Sequence, residues 1–506
     1  MSLVEIVSPP LRLTAGTLQP IRRLLGDLES SGVGYCHWKG NHSLDAALAG
    51  RKDLDLLVDP DGGPMVAGAL AGAGYRRLVD APHRRIPGVE HWLAFDRDEG
   101  VFAHLHLHWQ LIPTKGNPTL VRLPWERIVL ASTVRHERRD VRIPAPEMEL
   151  LLFLMSRALR VRQRHAVAER LGRPFLDAHA VAELAWLSGR TSVEHLSSRA
   201  SELLDGAAAT LVTAMRNSTP KVSDFLALRR AVAAQFVAAS DSPATRSARR
   251  RSSARTTGRT LTTGGRIIAF VGSDGAGKST VVRAITEWLS KEIETRALYL
   301  GAGDGAISVA RRTLRMVDRT RRFFVSSNRT LPEPRREDGL LLYRHGASYV
   351  AGVEPGLRAV WKIMSKLSLA REKRARLRAA AAWRTSGIVV VCDRYPQVQQ
   401  LGFNDGPQLW PWMEHGTWWM RTAARGEFEA YEMADTFHPD LVVKLIVPPE
   451  RAAERKHDMS VELLRTRGEA VRSLRFGPGT RVVEIDAGNA LATVLAETKR
   501  VIWQNL

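Results

Sequence analysis

The sequence contains little cysteine, and it has no long apolar run. Only two cysteines, Cys36 and Cys392, occur among 506 residues, which excludes a disulfide framework or a cysteine-rich zinc site. No run of about 18 apolar residues occurs, and the first residues lack the basic-then-apolar order of a secretory signal. These absences favour a protein without a membrane span that works in the cytoplasm.

Acidic residues are also outnumbered by basic ones. The chain has 74 lysines and arginines against 53 aspartates and glutamates, which gives a formal net charge of +21. Such a charge attracts phosphate-bearing partners, including nucleotides and nucleic acid. The abundance of arginine and alanine is also typical of a GC-rich genome. We favour this compositional explanation, because charge balance alone is a weak guide to a partner.

Length and composition indicate a folded protein of several domains. Hydrophobic residues make up 44% of the chain and charged residues 25%, values that exclude wholesale disorder. The segment 241–265 consists mainly of Ser, Thr, Arg, Gly and Ala and has no aromatic residue, so it predicts a flexible basic linker. The predicted division is an α+β domain at 1–144, a helical extension at 145–240, the linker at 241–265 and an α/β domain at 266–506.

Short runs rich in valine and isoleucine alternate with helical segments in the last part of the chain. Near-continuous apolar strands separated by helices are typical of a parallel sheet with helices on both faces. This pattern predicts an α/β fold for that part. Its strands are expected at 266–271, 297–300, 387–392, 441–447 and 481–485.

The first of these strands leads directly into a glycine-rich loop. The segment Gly272–Ser279 reads G-S-D-G-A-G-K-S and matches the phosphate-loop pattern G-x-x-x-x-G-K-[ST] between a strand and a helix. Its glycines let backbone N–H groups turn toward phosphate oxygens, and the helix adds its positive N-terminal end. Lys278 is expected to reach the β- and γ-phosphates of ATP, and Ser279 to hold Mg²⁺. The predicted ATP-binding residues are Gly272, Ser273, Asp274, Gly275, Ala276, Gly277, Lys278, Ser279 and Thr280.

Charged residues follow the later strands of the same predicted sheet. Asp393 ends a strand on the ligand-binding side of an α/β sheet, where it is suited to hold Mg²⁺ or to orient an acceptor. The guanidinium of Arg394 matches the geometry of phosphate. Arg455 follows the fourth strand, and we expect it to act in catalysis by closing over the transferring phosphoryl group. A solvated helix face is the alternative for Arg455 and for the neighbouring cations Lys456, Arg465, Arg467 and Arg472.

These motifs, in this order, resemble the thymidylate kinase family. Asp274–Thr280 resembles the D-G-x-G-K-S-T loop of that family, Val389–Tyr395 its strand and D-R-[YH] motif, and Ala452–Lys456 the start of its lid. The resemblance covers roughly residues 265–506. It implies a P-loop kinase fold in which ATP with Mg²⁺ donates its γ-phosphoryl group. It also implies that Arg394 binds the phosphate of the acceptor, and it allows a homodimer.

Two segments of that family are replaced in this sequence. Gly301–Gly305 stands where an Arg-Glu-Pro-Gly segment is usual, and Pro396–Gln400 stands where Ser-x-Ala-Tyr-Gln is usual. An arginine-rich insertion around 311–322 also precedes the third strand. Phosphoryl transfer from ATP is therefore better supported than thymidylate as the acceptor, although thymidylate stays the first acceptor to consider.

A second group of carboxylates lies in the first part of the chain. Asp53 and Asp55 are two residues apart on a predicted strand, so both side chains point to the same face. Two carboxylates in this arrangement are suited to share Mg²⁺ and to bind a nucleoside triphosphate. Together with Lys39–Asn41, they resemble the start of the domain found in a family of uncharacterised bacterial nucleotidyltransferases.

A histidine-rich strand follows these carboxylates, with His104, His106 and His108 at alternate positions. The resemblance to the nucleotidyltransferase family puts His106 where that family has a third carboxylate, which serves as a base or a metal ligand. Three imidazoles on one strand face are also suited to bind zinc, although a polar face lining a cleft is the simpler interpretation. A structural or vestigial role for Asp53 and Asp55 stays open for the same reason.

Three functional hypotheses remain open at this point. The first is an ATP-dependent phosphotransferase of thymidylate kinase type acting on a small phosphorylated acceptor, and the specificity of the loop favours it. The second is a nucleotidyltransferase acting through Asp53 and Asp55, with the kinase-like domain as supplier or sensor. The third is an ATP-gated protein that binds nucleic acid or another anionic polymer, and a nucleic-acid partner is not favoured.

Overall fold

A computed structural model describes most of the chain as two compact units. One unit comprises the residues up to Arg259, and the other runs from Thr260 to Leu506. The point of division lies inside the segment 241–265, most of which falls outside the described residues, as does the arginine-rich insertion. The structure describes residues 16–113, 120–216, 219–236, 258–301, 334–337, 340–343, 356–401, 405–457 and 459–506.

The main sheet of the first unit is mixed. Its strands follow the order β1-β2-β5-β4-β3, in which β2 and β5 are parallel and the other neighbours are antiparallel. Two further short strands, β6 and β7, form a separate hairpin. The strands are β1 (Tyr35–His37), β2 (Leu54–Val58), β3 (Arg76–Val79), β4 (Val89–Asp96), β5 (Val101–His108), β6 (Thr133–Arg135) and β7 (Arg142–Pro144).

Helices supply the rest of the first unit. Helices α1 and α3 contribute to one apolar core with the sheet, and α5 begins a helical layer with a second core. The helices are α1 (Gln19–Ser31), α2 (Leu44–Leu48), α3 (Gly63–Gly72), α4 (Glu126–Ala131), α5 (Pro146–Arg160), α6 (Gln163–Arg170), α7 (Ala178–Arg190), α8 (Val193–Leu203), α9 (Gly206–Arg216) and α10 (Val222–Ala231).

Strand alternation sorts the side chains of β2 and β5 between two environments. Leu54, Leu56 and Val58 pack into the core that the sheet forms with α1 and α3, and Leu105 and Leu107 join them from β5. The intervening side chains, which include the aspartates and histidines of these strands, point to the opposite face. The polar residues of both strands therefore share one face of the sheet.

The second unit is built on a five-stranded parallel sheet. The strand order is β10-β13-β9-β14-β15, so β9, the first of these strands in the sequence, lies in the middle. A separate two-stranded hairpin is formed by β11 and β12. The strands are β8 (Thr260–Leu261), β9 (Ile267–Gly272), β10 (Thr295–Tyr299), β11 (Pro334–Glu337), β12 (Leu340–Tyr343), β13 (Val389–Asp393), β14 (Leu441–Ile446) and β15 (Arg481–Asp486).

Helices cover both faces of this parallel sheet. On one face, Ile267 packs with Leu377 and Val471 from two helices, whereas Phe270 points to the other face because side chains alternate along a strand. The helices are α11 (Lys278–Ser290), α12 (Gly356–Thr385), α13 (Pro411–His415), α14 (Trp418–Thr436), α15 (Pro449–Arg455), α16 (Val461–Ser473) and α17 (Leu491–Asn505).

The α/β fold expected from the sequence is confirmed. Each of the five strands predicted for the parallel sheet is present, with ends that differ from the predicted ones by two residues at most. Shifts of this size are usual, because strand and helix ends are the least sharply defined parts of an element. No helix in the described part of the chain has both the length and the apolar character that crossing a bilayer requires.

Phe225 tests the packing of the helical layer. Its side chain is fully buried, and its ring lies 5.5 Å from that of Phe175. We expect Phe225→Ala to lower the free energy of unfolding by about 3–5 kcal/mol, because the truncation leaves a cavity. Leu171→Ala is the matched control at an exposed position, with an expected change within about 0.5 kcal/mol. Denaturant unfolding measures both, and equal losses would contradict a packed core around Phe225.

Candidate functional site

The glycine-rich loop joins the central strand β9 to α11. It lies at the carboxyl end of the sheet, where parallel α/β sheets bind their ligands. Gly275 and Gly277 have φ values of +81° and +77°, a region that other residues enter only at an energetic cost. A Cβ atom on Gly275 would also lie 2.9 Å from the carbonyl oxygen of Ala452. This loop conformation therefore depends on glycine.

Lys278 is held inside the loop. Its Nζ donates hydrogen bonds to the carbonyl oxygens of Gly272 and Ser273, both at 2.8 Å, and its side chain is buried. Burial lowers the pKa of Lys278 to about 8, and the nearby charge of Arg394 acts in the same direction. The ammonium group therefore lies within the loop whose backbone N–H groups are expected to bind phosphate.

Ser279 and Asp393 meet at the carboxyl ends of neighbouring strands. Because β13 pairs with β9 in parallel, with Asp393 opposite Phe270, the carboxylate lies beside the start of α11. The Oγ of Ser279 donates a hydrogen bond to Oδ2 of Asp393 at 2.7 Å. The other oxygen, Oδ1, is buried and has no hydrogen-bond partner among the described residues. A hydroxyl and a carboxylate oxygen with unused acceptor capacity fit Mg²⁺, which prefers oxygen ligands.

Arg394 connects the end of β13 to the loop. Its φ is +71°, and its guanidinium donates to Oδ2 of Asp405 at 3.1 Å and to Oδ1 of Asp274 at 3.4 Å. Arg467 pairs with the other oxygen of Asp274. Burial opposes the ionisation of Asp274, but the charges of Lys278, Arg467 and Arg394 outweigh it and hold the pKa of Asp274 below its usual value. The carboxylate of Asp274 in the loop therefore forms ion pairs with two arginines, Arg394 and Arg467.

Two of the cations that follow β14 are already paired in the structure. Arg455 donates to the carbonyl oxygens of Gly275 at 3.2 Å and Ala487 at 3.3 Å, so it lies against the loop backbone. Arg465 is half-exposed and pairs with Glu462 at 2.9 Å. Of these two, only Arg455 lies next to the loop, and its contacts in this conformation are with backbone carbonyls.

A buried lysine that no sequence motif marks lies near this site. The Nζ of Lys373 in α12 donates to Oη of Tyr431 at 3.1 Å and lies 3.5 Å from the carbonyl oxygen of Asp405. Burial lowers the pKa of Lys373 to about 8. Glu427 is buried nearby, and it accepts hydrogen bonds from the backbone N–H groups of residues 408–409. Helix α12 is rich in basic residues, so its composition gives no sign that one lysine points inward.

A cavity of about 220 Å³ lies in the first unit. Asp53 and Asp55 line it, and Nζ of Lys39 lies 2.9 Å from Oδ1 of Asp55. Basic side chains such as that of Lys39 are suited to bind phosphate. The basic residues that line the cavity are Lys39, Lys52, Arg157 and Arg160.

The aspartates predicted to bind metal lie beside the histidine-rich strand. Nδ1 of His104 is 2.8 Å from Oδ1 of Asp53. Asp55 lies 3.0 Å from Nδ1 of His106 and 3.0 Å from Nε2 of His108. The parallel pairing of β2 with β5 sets these contacts, since Asp55 lies opposite His106. The two carboxylates are therefore on one face, as expected, but imidazoles surround them.

The second unit is an α/β unit with a loop of the phosphate-loop pattern at the end of its central strand. No family model matches the chain. The chain is 26% identical over 239 residues to the uncharacterised ATP-binding protein YghR of Escherichia coli K12, across 47% of this chain and 86% of that protein. It is 25% identical over 245 residues to the uncharacterised ATP-binding protein YghS of the same strain, across 47% of this chain and 92% of that protein. About half of the chain is thus similar to proteins named for ATP binding.

Glu149 is a buried carboxyl group beside the cavity of the first unit. Oε1 of Glu149 accepts a hydrogen bond from the backbone N–H of Asn41 at 3.3 Å, and burial raises the pKa of Glu149 to about 8. A glutamate in an unfolded chain has a pKa of about 4.3. Between these two values the folded protein keeps a proton that the unfolded chain releases. The free energy of unfolding therefore falls as the pH rises through this window.

Glu149→Gln should remove this pH dependence. We expect the variant to be more stable than the wild type at pH 8 by a few kcal/mol, at about 1.4 kcal/mol for each unit of pKa shift. The two proteins should converge near pH 4, because both then carry a neutral side chain at this position. Denaturant unfolding across the pH range measures the effect, with Glu147→Gln on the same helix as the matched control. A stability difference that stays constant with pH would contradict the raised pKa.

Proposed function

We propose that this protein is an ATP-dependent phosphotransferase that moves the γ-phosphoryl group of ATP to a small phosphorylated acceptor. The observation that carries the proposal is the contact between Ser279 and Asp393 beside the loop that holds Lys278. A loop lysine, a hydroxyl at the helix start and a carboxylate on the neighbouring strand are the groups that P-loop enzymes use for nucleoside triphosphate phosphates and their metal. The names of the two bacterial relatives support ATP as the nucleotide.

Each group at the loop has its own task in this proposal. The backbone N–H groups of Gly272–Ser279 and the N-terminus of α11 bind phosphate oxygens. Lys278 exchanges its two carbonyl partners for the β- and γ-phosphates. Ser279 and Asp393 would hold Mg²⁺, which neutralises phosphate charge when it is bound. Once ATP is bound, these groups are in place before phosphoryl transfer, so they stabilise the developing charge with little further rearrangement.

Arg394 is the proposed anchor for the phosphate of the acceptor. Its guanidinium lies between Asp274 and Asp405, at 3.4 and 3.1 Å. A phosphate dianion offers this guanidinium two parallel hydrogen bonds, which single carboxylate oxygens at these distances do not. Lys373 adds a buried cation close to Asp405. We therefore propose a nucleoside monophosphate as the acceptor class, with thymidylate the first to be tested.

Lys278→Met tests the proposal directly. The variant keeps the length of the side chain but removes the charge that stabilises the transferring group. We expect ADP formation from ATP and Mg²⁺, measured across a panel of nucleoside monophosphates, to fall at least about 100-fold. Lys291→Met, at an exposed lysine that follows the same helix, is the matched control and should keep wild-type turnover.

Two results of that assay would contradict the proposal. Equal turnover by Lys278→Met and the wild type would show that the ADP does not come from this loop. Tight ATP binding by the wild type, without turnover on any phosphorylated acceptor, would exclude phosphoryl transfer. That second result would favour the ATP-gated binding protein instead.

Asp393→Asn tests the proposed metal site. The amide oxygen still accepts the hydrogen bond of Ser279, but the negative charge that attracts Mg²⁺ is lost. We expect Mg²⁺ to tighten ATP binding by the wild type and to leave the ATP affinity of the variant unchanged. Calorimetric titration with ATP, with and without Mg²⁺, measures both proteins. An equal effect of Mg²⁺ on both would place the metal site elsewhere.

A second candidate function is nucleotidyl transfer by the first unit. The cavity lined by Asp53, Asp55 and four basic side chains favours it. Under this hypothesis, the double variant Asp53→Ala with Asp55→Ala loses pyrophosphate release from nucleoside triphosphates and keeps ADP formation. Pyrophosphate release that survives in the double variant would exclude this candidate.

A further inference from the structure

The polar face of the sheet in the first unit gathers histidines from two strands. His91 on β4 and Asp55 on β2 both lie opposite His106 on β5, and His104 shares that face because it is two residues away. The ring of His106 lies 4.5 Å from that of His91 and 4.7 Å from that of His104. One ring nitrogen from each of the three histidines lies within 4.8 Å of the other two.

Carboxylates contact all three rings, and two of the ring nitrogens face each other. Nε2 of His91 lies 2.8 Å from Oδ2 of Asp80, and Nδ1 of His104 lies 2.8 Å from Oδ1 of Asp53. A neutral imidazole has one N–H, and a carboxylate at this distance accepts its hydrogen bond. The opposite nitrogens, Nδ1 of His91 and Nε2 of His104, then present lone pairs to each other at 3.2 Å. Two lone pairs this close repel unless a proton or a metal ion lies between them.

We infer that three histidines, His91, His104 and His106, bind Zn²⁺ or a transition-metal ion with similar ligand preferences. Tetrahedral zinc with Zn–N bonds of about 2.0–2.1 Å places its ligand nitrogens about 3.3 Å apart, which agrees with the 3.2 Å separation. Asp80 and Asp53 hold the outer ring nitrogens, as carboxylates commonly do behind metal-bound histidines. Asp53 is 44% exposed at its side chain, so it stands between the buried histidines and solvent.

The ligand atoms distinguish this site from the one beside the phosphate loop. Imidazole nitrogens select zinc and neighbouring transition metals, whereas Mg²⁺ prefers oxygen. The three histidines are only 3–6% exposed, which a solvated polar strand face does not explain. They have no task in the proposed phosphoryl transfer, so the site stands or fails independently of that function.

The test is metal binding by the full-length, tag-free protein. After removal of metal with a chelator, we expect the wild type to take up one equivalent of Zn²⁺ at this site, measured by calorimetric titration and by elemental analysis after gel filtration. Co²⁺ should give the visible absorption of a tetrahedral site. His91→Asn and His104→Asn should each weaken Zn²⁺ binding by more than about 10-fold. His195→Asn, at an exposed histidine of α8, is the matched control.

Two outcomes overturn the inference. A wild type that binds no Zn²⁺ at micromolar concentration would mean that the facing nitrogens share a proton instead. Loss of binding in His179→Asn but not in His91→Asn would assign the ion to the separate group His42, His179 and Glu183. Thermal unfolding in chelator checks that each variant folds. If His91→Asn does not fold, Asp80→Asn replaces it, with an expected loss of about 10–100-fold in Zn²⁺ affinity and overturn by unchanged affinity.

Discussion

The parallel pairing of β9 with β13 is the constraint on which the candidate nucleotide site depends. Because the two strands run in the same direction, the glycine-rich loop and Asp393 emerge at the same edge of the sheet. The hydrogen bond from Ser279 to Asp393 forms across that junction. An antiparallel neighbour would put its carboxyl end at the opposite edge, so the hydroxyl, the carboxylate and the loop lysine would not meet. The order and direction of the strands therefore determine which side chains can meet at this site.

Two buried lysines are a second notable feature of the unit that carries the glycine-rich loop. Lys278 and Lys373 are both buried, and burial lowers the pKa of each to about 8. Removing an ammonium from water costs stability unless acceptors surround it. Backbone carbonyls stabilise Lys278, while the Tyr431 hydroxyl and the Asp405 carbonyl stabilise Lys373. Buried ionisable groups with such partners are common at functional sites. Both lysines lie near the edge of the sheet that carries the glycine-rich loop.

In the first unit, the alternation of side chains along the strands places the polar groups on one face of the sheet. The leucines of β2 and β5 form a core on one face, and the aspartates and histidines of the same strands face the other. A polar face at this depth is stable only because its members pair with one another. Asp53 contacts His104, and Asp55 contacts His106 and His108. These contacts pair the aspartates with His104, His106 and His108 but leave the facing nitrogens of His91 and His104 to the proposed metal ion.

Strand periodicity and glycine spacing act over a few neighbouring residues, so the residues alone predict the parallel-sheet fold, the glycine-rich loop at Gly272–Ser279 and the shared face of Asp53 and Asp55. Contacts between side chains from separate segments depend on how the chain folds in three dimensions. His91 is 13 residues from His104, and Asp405 is 11 residues from Arg394. The strand register and the path of the loop bring these pairs together, and no local sequence pattern predicts either of them. Lys373 points inward only because α12 packs against α14, a contact between distant segments that helix composition does not encode.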